Sequence, residues 1–102
     1  MSCAAQFPVV EPIHQITEET VASCNLCVAT TGLTCRQICA AGGGECINSH
    51  NDSPNNSCII NPNEVLGCDH SGYTSEICTC TLGCGGAAPC KAPAVCTGGV
   101  CQ

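Results

Sequence analysis

Residues 35–39 read CRQIC and residues 76–82 read EICTCTL, and these two stretches decide the fold. Thr34 before the first is a helix-capping residue type, and Gly42-Gly43-Gly44 after it is a helix stop. A short helix is expected between them. Cys35 and Cys39 then lie one turn apart on one face, with Ile38 beside them. The second stretch alternates. Cys78, Cys80 and Leu82 fall on one side, and Ile77, Thr79 and Thr81 on the other, the pattern of a strand. Residues two apart on a strand share a face. Two parallel disulfides are therefore expected to clamp this helix to this strand, joining Cys35 and Cys39 to one each of Cys78 and Cys80.

The rest of the composition explains why such a clamp is needed. Fourteen of the 102 residues are Cys, the density of a disulfide scaffold. Leu, Ile, Val and Phe number only nineteen, and there is no Trp. So few large side chains do not offset the conformational entropy of a chain this long. Cross-links at about 2–4 kcal/mol each make up the difference. All fourteen cysteines (Cys3, Cys24, Cys27, Cys35, Cys39, Cys46, Cys58, Cys68, Cys78, Cys80, Cys84, Cys90, Cys96 and Cys101) are expected in seven disulfides. Elsewhere than in the clamp the connectivity stays open. A thiolate metal cluster needs tightly repeated Cys-x-Cys and Cys-x-x-Cys units. Here there is one of each, Cys24/Cys27 and Cys78/Cys80, far apart in the chain. No metal and no cofactor are expected.

Disulfides form outside the cell, in the secretory lumen or in the periplasm, so a secreted or otherwise oxidised protein is expected. The N-terminus lacks the basic and apolar regions of an export signal, which is expected to have been removed. No apolar run reaches the length of a membrane span. The formal charge is −6, and Arg36 and Lys91 are the only basic residues. Phosphate neutralisation needs several cations, which excludes nucleic acid and disfavours an anionic membrane.

Along the chain, residues 1–17 read as an extended N-terminal arm, anchored through Cys3 and the Phe7-Val9-Val10 cluster. Residues 18–83 read as a disulfide-rich α+β core, and residues 84–102 as a Gly/Ala/Pro/Cys-rich knotted tail. Within the core, Thr17-Glu18-Glu19 looks like a helix start, and Val21, Cys24 and Val28 recur at helical spacing. These predict a helix over 18–29 with Cys24 and Cys27 on one buried face, ended by Thr30-Thr31-Gly32. Short strands are expected at 45–48 and 57–60, with a polar loop between them and loop again over 61–75. The expected fold class is thus small, disulfide-rich and loop-rich α+β, with one or two short helices clamped to a small antiparallel sheet.

Three resemblances follow from the cysteine pattern. The helix–strand clamp resembles the cysteine-stabilised α/β arrangement of defensins and scorpion-type toxins. The 38 residues between its halves and the missing cationic surface depart from that family, so only the clamp geometry carries over. The order Gly-Leu-Thr-Cys35-x-x-x-Cys39, Gly-Glu-Cys46, Cys58, Cys68 and Cys78-Thr-Cys80 is similar to the cysteine-rich C-terminal segment of α-1,6-mannosylglycoprotein N-acetylglucosaminyltransferases. This covers residues 32–80 and implies an extracellular or Golgi-type accessory module. The transferase domain is absent and no catalytic residue transfers. The tail CGGAAPCKAPAVCTGGVCQ resembles the short C-terminal loops of EGF-like and knottin-like modules.

Candidate chemistry is sparse. Asp69-His70-Ser71 holds triad residue types, but sequence neighbours diverge where a triad must converge. His14, His50 and His70 are expected to be bystanders, since zinc would also need reduced thiolates. Arg36 and Lys91 each follow a Cys, as do specificity residues of some disulfide-rich protease inhibitors. Arg36 is expected on a helix, which leaves Lys91 the better placed. Asn51 and Asn55 lie in N-x-S sequons on the polar loop, with Pro54 making Asn51 the poorer acceptor of a glycan. No catalytic residue is assigned, and no enzyme is expected. The expectation is a secreted structural or interaction module with a protein partner or self-assembly, in an extracellular assembly. A soluble ligand (pheromone, effector, protease inhibitor or toxin) is the alternative, and a metal-binding or redox protein the next. A glycan partner has no support in the residues.

Overall fold

The computed structural model describes residues 2–29, 32–54, 56–84 and 90–102. Its elements run α1 (Cys3–Gln6), β1 (Ile13–Glu19), β2 (Ser23–Val28), α2 (Cys35–Ala41), β3 (Cys46–Asp52), β4 (Ile60–Val65), β5 (Glu76–Thr81), β6 (Cys96–Thr97) and β7 (Val100–Cys101). Strands β1 to β5 form one antiparallel sheet in the order β1-β2-β5-β3-β4, and β6 and β7 form a separate hairpin.

The expected clamp is present. Cys35 bonds Cys78 and Cys39 bonds Cys80, each with Cα atoms 5.4 Å apart. Thr34 and Gln37 close a capping box around the start of α2. The Gln37 amide donates to Thr34 Oγ1 at 3.2 Å, and the Thr34 amide donates to Gln37 Oε1 at 2.9 Å. The glycine run ends the helix. Gly43 takes the left-handed conformation at φ +86°, and the Gly44 amide donates to the Cys39 carbonyl at 3.0 Å. The chain is a small disulfide-rich α+β domain, with two short helices against an antiparallel sheet and all fourteen cysteines paired.

The helix expected over 18–29 is a β-hairpin instead. Thr17, Glu18 and Glu19 finish β1, and Thr20 makes the turn. Its Oγ1 accepts from the Ala22 and Ser23 amides, and its own amide donates to the Ser23 carbonyl at 2.9 Å. Cys24, Leu26 and Val28 also fit a period of two, and that period wins. The central strand β5 is buried along most of its length and needs a hydrogen-bonded neighbour on each edge. β2 supplies one, pairing from Ser23↔Thr81 to Val28↔Glu76. Cys24 and Cys27 consequently project to opposite faces. Cys24 bonds Cys3 and Cys27 bonds Cys58. The end expected at Thr30-Thr31 lies outside the described residues.

Within residues 1–17, α1 and the β1 strand take the place of a wholly extended arm. Ser2 caps α1 by accepting from the Ala5 amide at 3.1 Å. The strands also run differently from the expected 45–48 and 57–60: β3 continues through Asp52, and β4 occupies Ile60–Val65, in the stretch expected as loop. Pro62 is tolerated there because β4 is an edge strand, where an amide is not needed on the outer side.

The core lies between α2 and the sheet. Phe7, Leu26, Val28, Ile38 and Leu82 pack there around cystine sulfur. Cys46–Cys68 ties β3 to the loop after β4. In the tail, Cys84–Cys96 and Cys90–Cys101 close only on residues of the tail itself. The tail nevertheless docks on the sheet. The Cys101 amide donates to the Leu82 carbonyl at 2.8 Å, and Val100 and Cys101 are buried.

Candidate functional site

One face of α2 borders a cleft of about 300 Å³. The opposite wall is the segment from Phe7 to Ile13, held in place from several directions. Cys3 is bonded to Cys24, and the Phe7 amide donates to the Cys3 carbonyl at 2.7 Å. The buried Gln6 side chain donates to the Thr81 carbonyl at 3.1 Å and accepts from the Gly83 amide at 2.8 Å. Pro8 and Pro12 restrict the backbone between these anchors. The lining is almost wholly apolar: Phe7 and Ile38 are buried, Ala41 lies on α2, and Val10 and Leu33 stand exposed at 63% and 37%. Among the described residues Glu11 is the only charged one in the lining, and His14 Nδ1 lies 3.5 Å from it. Gly42 sits so close to the Phe7 ring that any β-carbon there would strike it.

A second cluster is polar and lies where β3 and β5 meet the 66–75 loop. Glu76 is fully buried on the α2 side of β5. Ser49 Oγ donates to its Oε2. Its Oε1 faces His70 Nδ1 at 3.7 Å, and neither atom has a hydrogen-bond partner. His70 packs edge-on against Tyr73, with ring centroids 4.5 Å apart. Tyr73 and Asn51 donate to opposite oxygens of Glu64, each at 3.2 Å. The Glu64 charge and the hydrogen bond to it hold the Tyr73 phenol above its ordinary pKa. Buried Asp52 accepts from Ser75 Oγ at 2.7 Å and from the Cys58 amide at 3.2 Å. Ser49 is itself fully buried, so this hydroxyl does not face solvent.

The sequence candidates are thereby placed. Asp69 turns away from His70 into a two-pronged pair with Arg36, at 2.8 and 3.1 Å. That hydrogen bond lowers the Asp69 pKa and raises that of Arg36. Asp69-His70-Ser71 therefore do not converge. Lys91 Nζ lies 2.9 Å from Glu19 Oε2, and this bond, with the Cys3 amide on the other oxygen, lowers the Glu19 pKa. Both basic side chains thus sit in surface ion pairs. Asn51 is half-buried on β3 with its amide nitrogen committed to Glu64, an unsuitable presentation for a glycan on the folded domain. Asn55 lies outside the described residues. The sulfurs of Cys84, Cys90 and Cys96 cluster within 4.8 Å, but all three are in disulfides and offer no thiolate.

Neither the cleft nor Glu76 stood out in the sequence as a site. Phe7 and Val10 read as an anchor, and only the fold sets them opposite Leu33 and Ala41. For Glu76 a signal existed, because it shares the period-two face of Cys78 and Cys80. Compared with known protein families, curated proteins and solved structures, the chain matches none.

Proposed function

We propose that this chain is a secreted, non-enzymatic interaction module, an accessory or subunit of an extracellular assembly, that engages a protein partner through the cleft beside α2. The observation that carries this reading is a preformed apolar cleft whose walls are each cross-linked to the sheet. The Phe7–Ile13 wall is tied through Cys3–Cys24, and α2 through Cys35–Cys78 and Cys39–Cys80. A recognition surface fixed before binding loses little conformational entropy on association. The seven disulfides support the secreted reading, since such bonds persist in oxidising compartments. No helix among the described residues is long and apolar enough to cross a membrane.

The test compares chain produced in an oxidising secretory compartment with chain produced in a reducing cytosol. The secreted product should lack two hydrogens for every disulfide by intact mass and resist limited proteolysis. The cytosolic product should be degraded. Free thiols in a stable, folded product from either source would overturn the reading. Sizing the oxidised protein at high dilution then separates an assembly subunit from a solitary ligand.

A further inference from the structure

We infer that the cleft between the Phe7–Ile13 segment and α2 takes a short cationic amphipathic peptide segment of a partner protein, apolar side chains inward and Lys or Arg toward Glu11. This rests on the reading of the protein as an interaction module and adds the chemistry of the partner.

The apolar half of the argument is shape. A space of about 300 Å³ lies at the small end of preformed ligand pockets, enough for a few side chains of a docked segment. Its floor is Phe7 and Ile38, and Val10 and Leu33 stand proud at its rim. The polar lining groups, Gln6 and Gln37, are already committed, Gln6 to Thr81 and Gly83 and Gln37 to the α2 cap. The cleft thus offers an occupant apolar contact in the middle and one carboxylate at the edge.

The charge half selects among occupants. Of the eight carboxylates in the chain, Asp52 and Glu76 are buried, and Glu19 and Asp69 neutralise the only two basic residues. Glu11, Glu18, Glu45 and Glu64 are left without a Lys or Arg. The charge left over on the surface is therefore negative, in keeping with the formal −6. A second copy of the chain would bring the same −6 and the same acidic rim, and would be repelled. Anionic lipid is repelled likewise. Pro62 blunts the β4 edge against an added strand. A segment of alternating apolar and basic character satisfies both halves at once.

The experiment uses the fully oxidised protein, isotope-labelled, and a Leu/Lys amphipathic helical peptide as the probe. Two controls share its length: a Ser/Lys peptide without the apolar face, and a Leu/Glu peptide with reversed charge. Amide shifts on titration should concentrate in residues 7–13 and α2. The variants Val10→Ser and Leu33→Ser alter exposed rim positions without changing charge, and together should weaken binding about tenfold or more. Glu11→Gln should weaken it a few-fold and reduce its salt dependence. Equal binding of either control peptide overturns the proposal, as do shifts confined to another face or indifference to the rim variants. Dimerisation through the cleft, or preference for anionic phosphatidylglycerol vesicles over the peptide, would name a different occupant and overturn it too. If the oxidised, protease-resistant protein ignores the probe, the partner class is wrong and the module reading stands. Free thiols in that same folded sample would instead remove the module reading first.

Discussion

At the scale of single residues, the buried carboxylates decide more than their number suggests. Glu76 keeps one oxygen satisfied only through Ser49. Ser49→Ala leaves a buried acceptor unpaired, which costs about 1–3 kcal/mol. The expected result is a melting temperature lower by several degrees with unchanged disulfide mapping; an unchanged melt would show that water takes the place of the hydroxyl. The surface pairs give a pH signature. Glu19 titrates below its ordinary 4.5 in the folded protein, chiefly because Lys91 donates to it. Its contribution is therefore complete above pH 4.5 and is lost as pH falls through the lower folded value. Asp69, lowered by Arg36, acts in the same direction below its ordinary 3.8. Thermal melts through this acid range should fall less steeply in Glu19→Gln than in the parent. Tyr73 has the opposite sign: its raised pKa makes its contribution complete below pH 10.0 and lost above it, as the phenol ionises.

At the scale of elements, α2 is the part most open to perturbation. It is seven residues long, too short to hold without its cap and cross-links. Thr34→Ala removes the capping box at a cost of about 1 kcal/mol, read as a lower melting temperature. Gly42→Ala acts on the cleft, because the new methyl would meet the Phe7 ring. The expected outcome is displaced Phe7 resonances and weakened binding in the cleft with α2 still helical. Edge strand β4 calls for a different test. It exposes Ile60 and Val65, with Ile59 just before it, and Pro62 lies between them. Pro62→Val restores an amide to that edge, and light scattering should detect aggregation at concentrations where the parent stays clear.

At the scale of the whole molecule, the cross-links are not equivalent. Cys35–Cys78 and Cys39–Cys80 close separations of 43 and 41 residues, whereas Cys84–Cys96 closes 12 and is partly exposed. Loop entropy favours the long closures. Replacing Cys35 and Cys78 together by Ser should therefore lower the melting temperature well beyond the same change at Cys84 and Cys96, and should loosen the first turn of α2 while Cys39–Cys80 holds the second. Complete reduction should abolish the cooperative melt, because so few large apolar side chains support the core. A reduced protein melting near the oxidised temperature would contradict this.

The sequence by itself determined the clamp, because helix and strand periodicities are local and each put two cysteines on one face. It determined the capped helix at Thr34 and the glycine stop for the same reason. Only the tertiary structure decided residues 18–29. Thr17-Glu18-Glu19 satisfies a helix start as well as a strand end, and the choice fell to the hydrogen-bonding demand of β5, which is remote in sequence. Only the tertiary structure made the cleft, since Phe7 and Val10 meet Leu33 and Ala41 through contacts that no local pattern encodes. The pairing of Cys27 with Cys58 belongs with these, because it follows from the opposite faces of a strand that the local signals had read as a helix.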